Sequence, residues 1–230
     1  MVTVLIVTFN RPKEIRKTIY EFLKHQNYPL EKLTFHLADS DTEKRTSTVN
    51  YVQSILDDFP YLNWQYTIES NPGWGYNVNT ALKKISDNYI FLIEDDYVAI
   101  RDVDLVSGVE LMEKQTNIGA IRYDGIAAHT GMILHLRELK TETSRIDYCL
   151  LDKDSPHLNV YSNRPHLRHR RFTECYGYYL EGHSLGQTED AMAHTVKDKK
   201  QCCDIAILGN GIEKAFDHIG ASYQNGVYDK

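Results

Sequence analysis

The feature that most constrains the fold is a regular alternation of short apolar runs with amphipathic stretches. Four apolar runs, rich in β-branched and aromatic residues, are typical of buried strands; they cover residues 2–7, 33–38, 64–68 and 89–93. Between them, apolar residues recur at the three- and four-residue spacings of a helix face, for example at Ile15, Ile19, Phe22 and Leu23. Three such repeats predict an α/β fold with a parallel sheet and helices on both faces.

The second half of the chain predicts a smaller, mixed sheet. The expected elements are a helix (103–112), a strand (119–123), antiparallel strands (132–136 and 145–151), a basic loop (163–172), a helix (188–196) and a late strand (203–208). Thr188 is a plausible N-cap of that last helix. Because no linker or repeat interrupts the sequence, the whole chain, residues 1–230, is expected to be a single domain.

The composition limits the kinds of partner and the compartment that we expect for this protein. The 230 residues include 26 Lys and Arg against 32 Asp and Glu, a net charge of −6, so a general polyanion-binding surface is not expected. No apolar run approaches the roughly 20 residues of a membrane span, and the first residues lack a basic signal-peptide segment. We therefore expect no stable membrane insertion. The four cysteines lack a zinc-binding spacing, which predicts reduced thiols in a soluble protein of the reducing cytoplasm.

Polar clusters follow each of the first four predicted strands. In a parallel sheet the C-terminal strand ends share one edge, where ligands bind. The most acidic cluster is Glu94-Asp95-Asp96. Adjacent carboxylates repel one another unless a cation or hydrogen bonds compensate them, and oxygen ligands suit Mg²⁺ or Mn²⁺. The alternatives are a solvated acidic turn or a helix-capping cluster.

Together, the order and spacing of six segments resemble the GT-A nucleotide-sugar glycosyltransferases, most closely those of the family 2 type. The segments are residues 2–12, 38–40, 71–77, 94–96, 188–190 and 217–220. The resemblance implies a GT-A type fold. In it, a mostly parallel, Rossmann-like nucleotide-sugar-binding half (1–100) is joined to a smaller mixed-sheet half (101–230) for the acceptor and catalysis.

The resemblance also implies roles for individual residues. The implied donor-binding residues are Phe9, Asn10, Arg11, Asp39, Trp74, Gly75, Asn77, Glu94 and Asp95. Asp96 and His218 would hold Mn²⁺ or Mg²⁺ on the donor diphosphate. Asp190 would be the general base, with Glu189 as the second choice. The alternative for both acids is that they only stabilise the helix dipole from the first turn.

The basic loop reverses the sign of an acidic chain locally. Arg168, Arg170 and Arg171 could close on the donor diphosphate, since arginine binds phosphate in bidentate fashion. They could also bind a phosphate-bearing acceptor, including DNA with a modified base, or be simply solvated.

The function that the resemblance implies is metal-dependent transfer of a hexosyl or pentosyl group from a nucleotide-diphosphate donor to an acceptor hydroxyl, with inversion. The acceptor could be a glycan, a small molecule or a hydroxylated base in DNA. A non-catalytic module that binds glycans or nucleotides is the rival from a different class. Nucleotidyl transfer is disfavoured because no glycine-rich, basic phosphate loop follows the first strand.

Overall fold

The computed structural model describes residues 1–9, 11–39, 45–68, 73–123, 132–140, 145–157 and 160–220, without the side chains of residues 45–49. The strands are β1 (Val2–Thr8), β2 (Leu33–Asp39), β3 (Trp64–Ile68), β4 (Tyr89–Glu94), β5 (Tyr97–Ala99), β6 (Ile118–Arg122), β7 (Leu134–Lys140), β8 (Arg145–Leu151), β9 (His166–His169), β10 (Asp204–Leu208) and β11 (Phe216–His218). The helices are α1 (Pro12–His25), α2 (Arg45–Asp58), α3 (Trp74–Lys84), α4 (Leu105–Lys114), α5 (Arg170–Tyr176) and α6 (Leu185–Asp198), with a 3₁₀ turn at Leu30–Lys32. Within these ranges no helix combines the length and apolar character needed to cross a bilayer.

Nine of the described strands form one mixed sheet in the order β3-β2-β1-β4-β9-β6-β10-β8-β7. The first four, β3, β2, β1 and β4, are parallel, as the alternating pattern predicted. Strand β9 lies antiparallel between β4 and β6. Beyond it, β6 and β10 are parallel, and β8 and β7 complete the sheet as antiparallel strands. The prediction of a mixed α/β fold is confirmed.

Strand β1 is apolar along its whole length because it is buried on both faces. Val4 and Ile6 belong to the core that packs against α1, α2 and α4, whereas Leu5 and Val7 belong to the opposite core, under α3, α5 and α6. Each such side chain contributes about 1.5–3 kcal/mol when fully buried. Burial on both faces is what converts the usual strand alternation into a continuous apolar run.

The predicted loop at residues 163–172 is wrong from residue 166 onwards. Residues 166–169 form β9, in the middle of the sheet, and residues 170–172 begin α5. Arg168 is fully buried in β9: its guanidinium donates to Tyr179 Oη at 2.9 Å and to Thr173 Oγ1 at 2.6 Å, and it lies 4.7 Å above the Phe172 ring. A buried arginine whose terminal nitrogens are hydrogen-bonded in the core has the same sequence signature as a solvated one.

Two helices begin earlier than the sequence predicted. Ser184, not Thr188, is the N-cap of α6; its hydroxyl accepts from the N–H of Gln187, whose side chain completes a capping box. Thr188 is instead buried and donates to the carbonyl of Leu180 at 3.3 Å. Helix α3 already begins at Trp74, in a stretch predicted to be a turn.

A buried histidine in the sheet makes stability depend on pH. His36, on β2, is almost fully buried, and its Nε2 lies 2.7 Å from Thr67 Oγ1 on β3. Burial, aided by the positive charge of Lys84, lowers the pKa of His36 to about 4. As the pH falls, His36 binds a proton near pH 6.5 in the unfolded chain but only near pH 4 in the folded protein.

We predict that His36 removes about 2 kcal/mol from the free energy of unfolding between about pH 7.5 and pH 5, because the unfolded state is protonated first. The loss begins below about pH 6.5 and levels off below about pH 4. Urea unfolding of wild type and His36→Gln at both pH values measures it, since the other titrating groups are present in both proteins. An equal pH dependence of the two proteins would contradict the prediction.

Candidate active site

The C-terminal ends of β1, β2 and β4 place three acidic positions side by side. Thr8 of β1 pairs with Asp39 of β2, and Val7 pairs with Glu94 of β4. Asp39 is fully buried at this edge, and Asp95 follows directly after β4. The sequence prediction that Asp39 and the acidic cluster share one edge of the sheet is therefore confirmed.

Asp95 is held by the end of β1. Its Oδ2 accepts from Thr8 Oγ1 at 2.7 Å and from the N–H of Phe9 at 3.2 Å, while Arg11 lies 3.4 Å from its Oδ1. Burial raises the pKa of Asp95 to about 6, with a further contribution from the charge of Asp96, although the hydrogen bonds and Arg11 oppose the shift. Phe9 itself is half exposed beside this contact.

Asp96 is the more ionised of the two aspartates. Its Oδ2 accepts from the guanidinium of Arg11 and lies 3.2 Å from His218 Nε2. Burial alone would raise the pKa of Asp96, but His218 and Arg11 outweigh it and bring the pKa below its ordinary value. Arg11 stands at the N-cap position of α1, so the start of that helix supplies a positive charge to both aspartates.

The two-stranded sheet of β5 and β11 carries His218 to the acidic turn. His218 pairs with Tyr97, and their rings meet edge to face at 4.8 Å. Just beyond, the N–H of Ile219 donates to the carbonyl of Asp96 at 2.8 Å. A Cβ at Gly220 would lie 2.3 Å from Asp96 Oδ2, so only glycine allows this approach.

Asp96 and His218 are the pair of side chains here that could hold a divalent cation. Oδ2 and Nε2 contact each other directly at 3.2 Å, and two ligands in adjacent octahedral positions, each about 2.1 Å from Mg²⁺, stand about 3 Å apart, so a cation would take the place of that contact. In the part of the chain that the structure describes, no three His, Cys, Asp or Glu side chains form a metal-binding group. Substrate oxygens and water would have to complete the coordination, as is usual for Mg²⁺ held by one or two carboxylates.

Glu94 faces a carboxylate from the other half of the chain. Burial raises the pKa of Glu94 well above its ordinary value, and Asp96, Asp95 and Glu189 each add to the shift. Glu189, on α6, accepts at Oε1 from Ser162 Oγ at 2.6 Å and from the N–H of Asn163 at 2.8 Å. The structure thus brings Glu189 to the same site as the strand-end acids.

Asp190 does not share that position. Since α6 begins at Leu185, Glu189 and Asp190 lie in its second turn rather than its first, so the predicted first-turn placement is wrong. One residue corresponds to about 100° of rotation on a helix, and Asp190 is exposed whereas Glu189 is partly buried. Of the two predicted base candidates, Glu189 is the one whose charge contributes to the raised pKa of Glu94.

The first turns of α3 support the end of β2. The side chain of Asn77 is buried and donates to the carbonyl of Ala38 at 3.1 Å, directly before Asp39. Trp74 packs edge-on against Tyr179, with ring centroids 4.9 Å apart. A Cβ at Gly75 would lie 2.2 Å from the carbonyl oxygen of Leu180, so Gly75 allows α3 to approach that segment.

The three arginines predicted to bind the donor lie elsewhere. Because β9 is antiparallel to β4, the chain runs from the acidic edge at His166 to the opposite edge at His169. Arg168 is enclosed in the core, Arg170 donates to the carbonyls of Ile85 and Ser86, and Arg171 donates to those of Met112 and Thr116. The structure therefore contradicts the prediction that these three arginines bind the donor.

Some predicted positions lie outside the described residues: Asn10, and parts of the family-like segments 38–40 and 71–77, namely Ser40, Asn71 and Pro72. Conversely, the sequence analysis missed Thr8, Ser162 and Asn163. Thr8 carried a signal, because it is the hydroxyl-bearing residue that ends the first apolar run. Ser162 and Asn163 had none, since their contact with Glu189 spans more than 25 residues.

Comparison with known proteins assigns this arrangement to a family. The model of glycosyl transferase family 2 matches residues 3–176, which include β1, the acidic turn and α5. The chain belongs to glycosyl transferase family 2. No curated protein matches the sequence.

Solved structures of low sequence identity share the fold. S. aureus TarS 1–349 in complex with UDP-GlcNAc is 15% identical, with a TM-score of 0.65 over 99% of this chain and 61% of that one. The mannosyltransferase PcManGT from Pyrobaculum calidifontis, in complex with GDP-Man and Mn²⁺, is 16% identical, with a TM-score of 0.60 over 93% and 57% of the two chains. GalNAc-T7 with UDP, GalNAc and Mn²⁺ is 11% identical, with a TM-score of 0.61 over 96% and 44%.

These similarities confirm the GT-A fold expected from the sequence. The chain spans less than two thirds of the length of each of these three proteins.

We predict that Gly75→Ala lowers the free energy of unfolding by about 1–3 kcal/mol, because the new methyl group meets a backbone carbonyl that cannot turn aside. Gly186→Ala is the matched control: both glycines are the second residue of a helix, but nothing lies within 4 Å of a Cβ at Gly186. The control should be unchanged or more stable by up to about 1 kcal/mol. Chemical denaturation of both variants measures the difference, and equal stability would argue against the close contact with Leu180.

Proposed function

We propose that the protein transfers a sugar from a nucleotide-diphosphate donor to an acceptor hydroxyl, in a metal-dependent reaction with inversion. The observation that carries the proposal is the pairing of Asp96 with His218 at the sheet edge that also holds Asp39 and Asp95. A metal-ligand pair beside buried hydrogen-bond acceptors fits a ligand with a charged diphosphate and a polar nucleoside. The nucleotide-sugar complexes of TarS and PcManGT support the same class of donor.

In this proposal the end of the parallel sheet binds the nucleoside. Asp39 and Asp95 accept hydrogen bonds from base or ribose groups, while half-exposed Phe9 offers an apolar face to the base. Asn77 positions this edge by holding the carbonyl of Ala38. In the metal-free protein, Arg11 and the contact with His218 lower the pKa of Asp96, and Arg11 can go on favouring the ionised carboxylate when His218 turns its Nε2 lone pair to a metal ion.

Asp96 and His218 would hold the Mn²⁺ or Mg²⁺ ion. When bound, such an ion compensates the negative charge that develops on the leaving diphosphate. Histidine is a better ligand for Mn²⁺ than for Mg²⁺, and complexes of PcManGT and GalNAc-T7 contain Mn²⁺. We therefore favour Mn²⁺.

For the general base we propose Glu189, the second choice of the sequence analysis, over Asp190. Its Oε1 is fixed by Ser162 and Asn163, and it lies near Glu94 at the site. A positioned carboxylate takes the proton from the acceptor hydroxyl as that oxygen attacks the anomeric carbon from the face opposite the diphosphate. The proton ends on the carboxylate and the diphosphate leaves, which inverts the anomeric configuration.

We do not propose DNA as the acceptor. That alternative rested on a patch of arginines, and Arg168, Arg170 and Arg171 are occupied in the core and at the opposite edge of the sheet. The acceptor is proposed only as a hydroxyl-bearing glycan or small molecule.

We predict that Asp96→Asn weakens Mn²⁺-dependent donor binding by more than about tenfold, since loss of even an outer partner of a metal site costs about 10–100-fold. Thermal shift and titration calorimetry with UDP-, GDP- and dTDP-sugars, with and without Mn²⁺, measure it; a ligand at 100 times its Kd stabilises the fold by about 2.7 kcal/mol. Asp217→Asn is the control, because it removes the same charge from a half-exposed neighbour of His218 that pairs with Lys214.

Two outcomes would count against the donor site. If Asp96→Asn bound the donor as tightly as wild type in Mn²⁺, the metal assignment would be wrong. If wild type bound none of the nucleotide-sugars, the donor site itself would be rejected.

We predict that Glu189→Gln lowers kcat by about 10²–10⁴-fold, the usual contribution of a general base, with donor affinity unchanged. Glutamine still accepts from Ser162 and Asn163, so the local structure is kept. Asp190→Asn is the matched variant and should retain near wild-type turnover. Steady-state kinetics on an accepted donor and acceptor separate the two. The reverse pattern would make Asp190 the base, and normal turnover in both variants would exclude a base on this helix.

A further inference from the structure

Three cysteines from two distant segments converge on the face of the sheet covered by α5. Cys175 lies near the end of α5, whereas Cys202 and Cys203 precede β10. The N–H of Cys203 donates to Cys175 Sγ at 3.3 Å. Cys202 Sγ also lies 3.7 Å from the carbonyl oxygen of Cys175.

The surroundings of Cys175 favour the thiolate. Burial by itself would raise the pKa of Cys175, but the hydrogen bonds from Cys202 and Cys203 and the positive charge of Lys153 lower it below its ordinary value. The ammonium group of Lys153 is held close by, since it donates to the carbonyls of Cys202 and Lys200 at 2.8 Å each. A partly exposed thiol with hydrogen-bond donors and a nearby cation is the environment of reactive cysteines.

The two neighbouring cysteines differ in access. The sulfur of Cys203 packs against Gly119, where a Cβ would lie only 2.2 Å away, and burial raises the pKa of Cys203 to about 12. Cys202 is only partly buried, like Cys175. Cys202 is therefore the thiol that can both reach Cys175 and meet a reagent from solvent.

We propose that Cys175 and Cys202 form a thiol-modification site that reacts with small-molecule disulfides and closes to an intramolecular disulfide. The Cys175 thiolate attacks one sulfur of the reagent, forming a mixed disulfide and releasing the first thiolate. Cys202, after losing its proton, attacks the Cys175 sulfur and releases the second thiolate. Two protein thiols are thus oxidised to one disulfide while one reagent disulfide is reduced to two thiols. The bond would join α5 to the segment that leads into β10.

The test treats the folded protein with glutathione disulfide and follows intact mass and mapped peptides over time. Wild type should become about 2 Da lighter through a bond between Cys175 and Cys202. Cys149 serves as the internal control, because it is fully buried in β8 and hydrogen-bonded to the carbonyl of Gly209. Cys175 should react more than about tenfold faster than Cys149.

Serine variants assign the steps. Cys202→Ser should stop at a stable mixed disulfide on Cys175. Cys175→Ser should leave Cys202 without an intramolecular disulfide, and Cys203→Ser should still form the bond between Cys175 and Cys202. Circular dichroism before treatment establishes that each variant is folded. A bond between Cys202 and Cys203, equal reactivity of Cys149 and Cys175, or continued disulfide closure in Cys202→Ser would overturn the proposal.

Discussion

Charge compensation at the turn after β4 is the constraint on which the site depends. Three consecutive carboxylates occupy the last position of β4 and this turn, and each is accommodated differently. Arg11 and His218 lower the pKa of Asp96, the end of β1 holds Asp95, and burial together with the acidic neighbours raises the pKa of Glu94. The turn therefore has its partners on β1, at the start of α1 and on β11, which ties the local chemistry to three separate elements of the fold.

The parallel half of the fold could be predicted because each strand there is buried on both faces. Such strands appear in sequence as continuous apolar runs, and the helices between them show their buried faces at regular spacing. The edge position of Asp39 and Asp95 then follows from the topology alone. The meeting of Asp96 with His218 was expected only through the family resemblance, since β5 and β11, which bring them together, have three residues each.

The wrong predictions for β9 and for the start of α6 have a common physical cause. Whether a polar residue is buried or solvated, and which backbone group it caps, depends on partners that are distant in sequence. The sequence of β9 contains two histidines and an arginine, and it reads as a loop unless Tyr179, Thr173 and Phe172 are known to enclose Arg168. Likewise, Thr188 is an acceptable N-cap until Ser184 and Gln187 form the capping box one turn earlier. Local sequence preferences could not distinguish a buried strand from a loop at β9, or Ser184 from Thr188 as the N-cap, because they are compatible with either alternative.

The choice between Glu189 and Asp190 shows how such a local shift reaches the chemistry. If α6 began at Thr188, both acids would lie in its first turn, and either could serve only the helix dipole. Because α6 begins at Leu185, Glu189 and Asp190 lie beyond its first turn, where the helix dipole would stabilise them most. Glu189 is fixed instead by Ser162 and Asn163, which immediately precede the segment leading into β9. The segment that leads into β9, the central strand that buries Arg168, therefore also anchors the carboxylate proposed as the base.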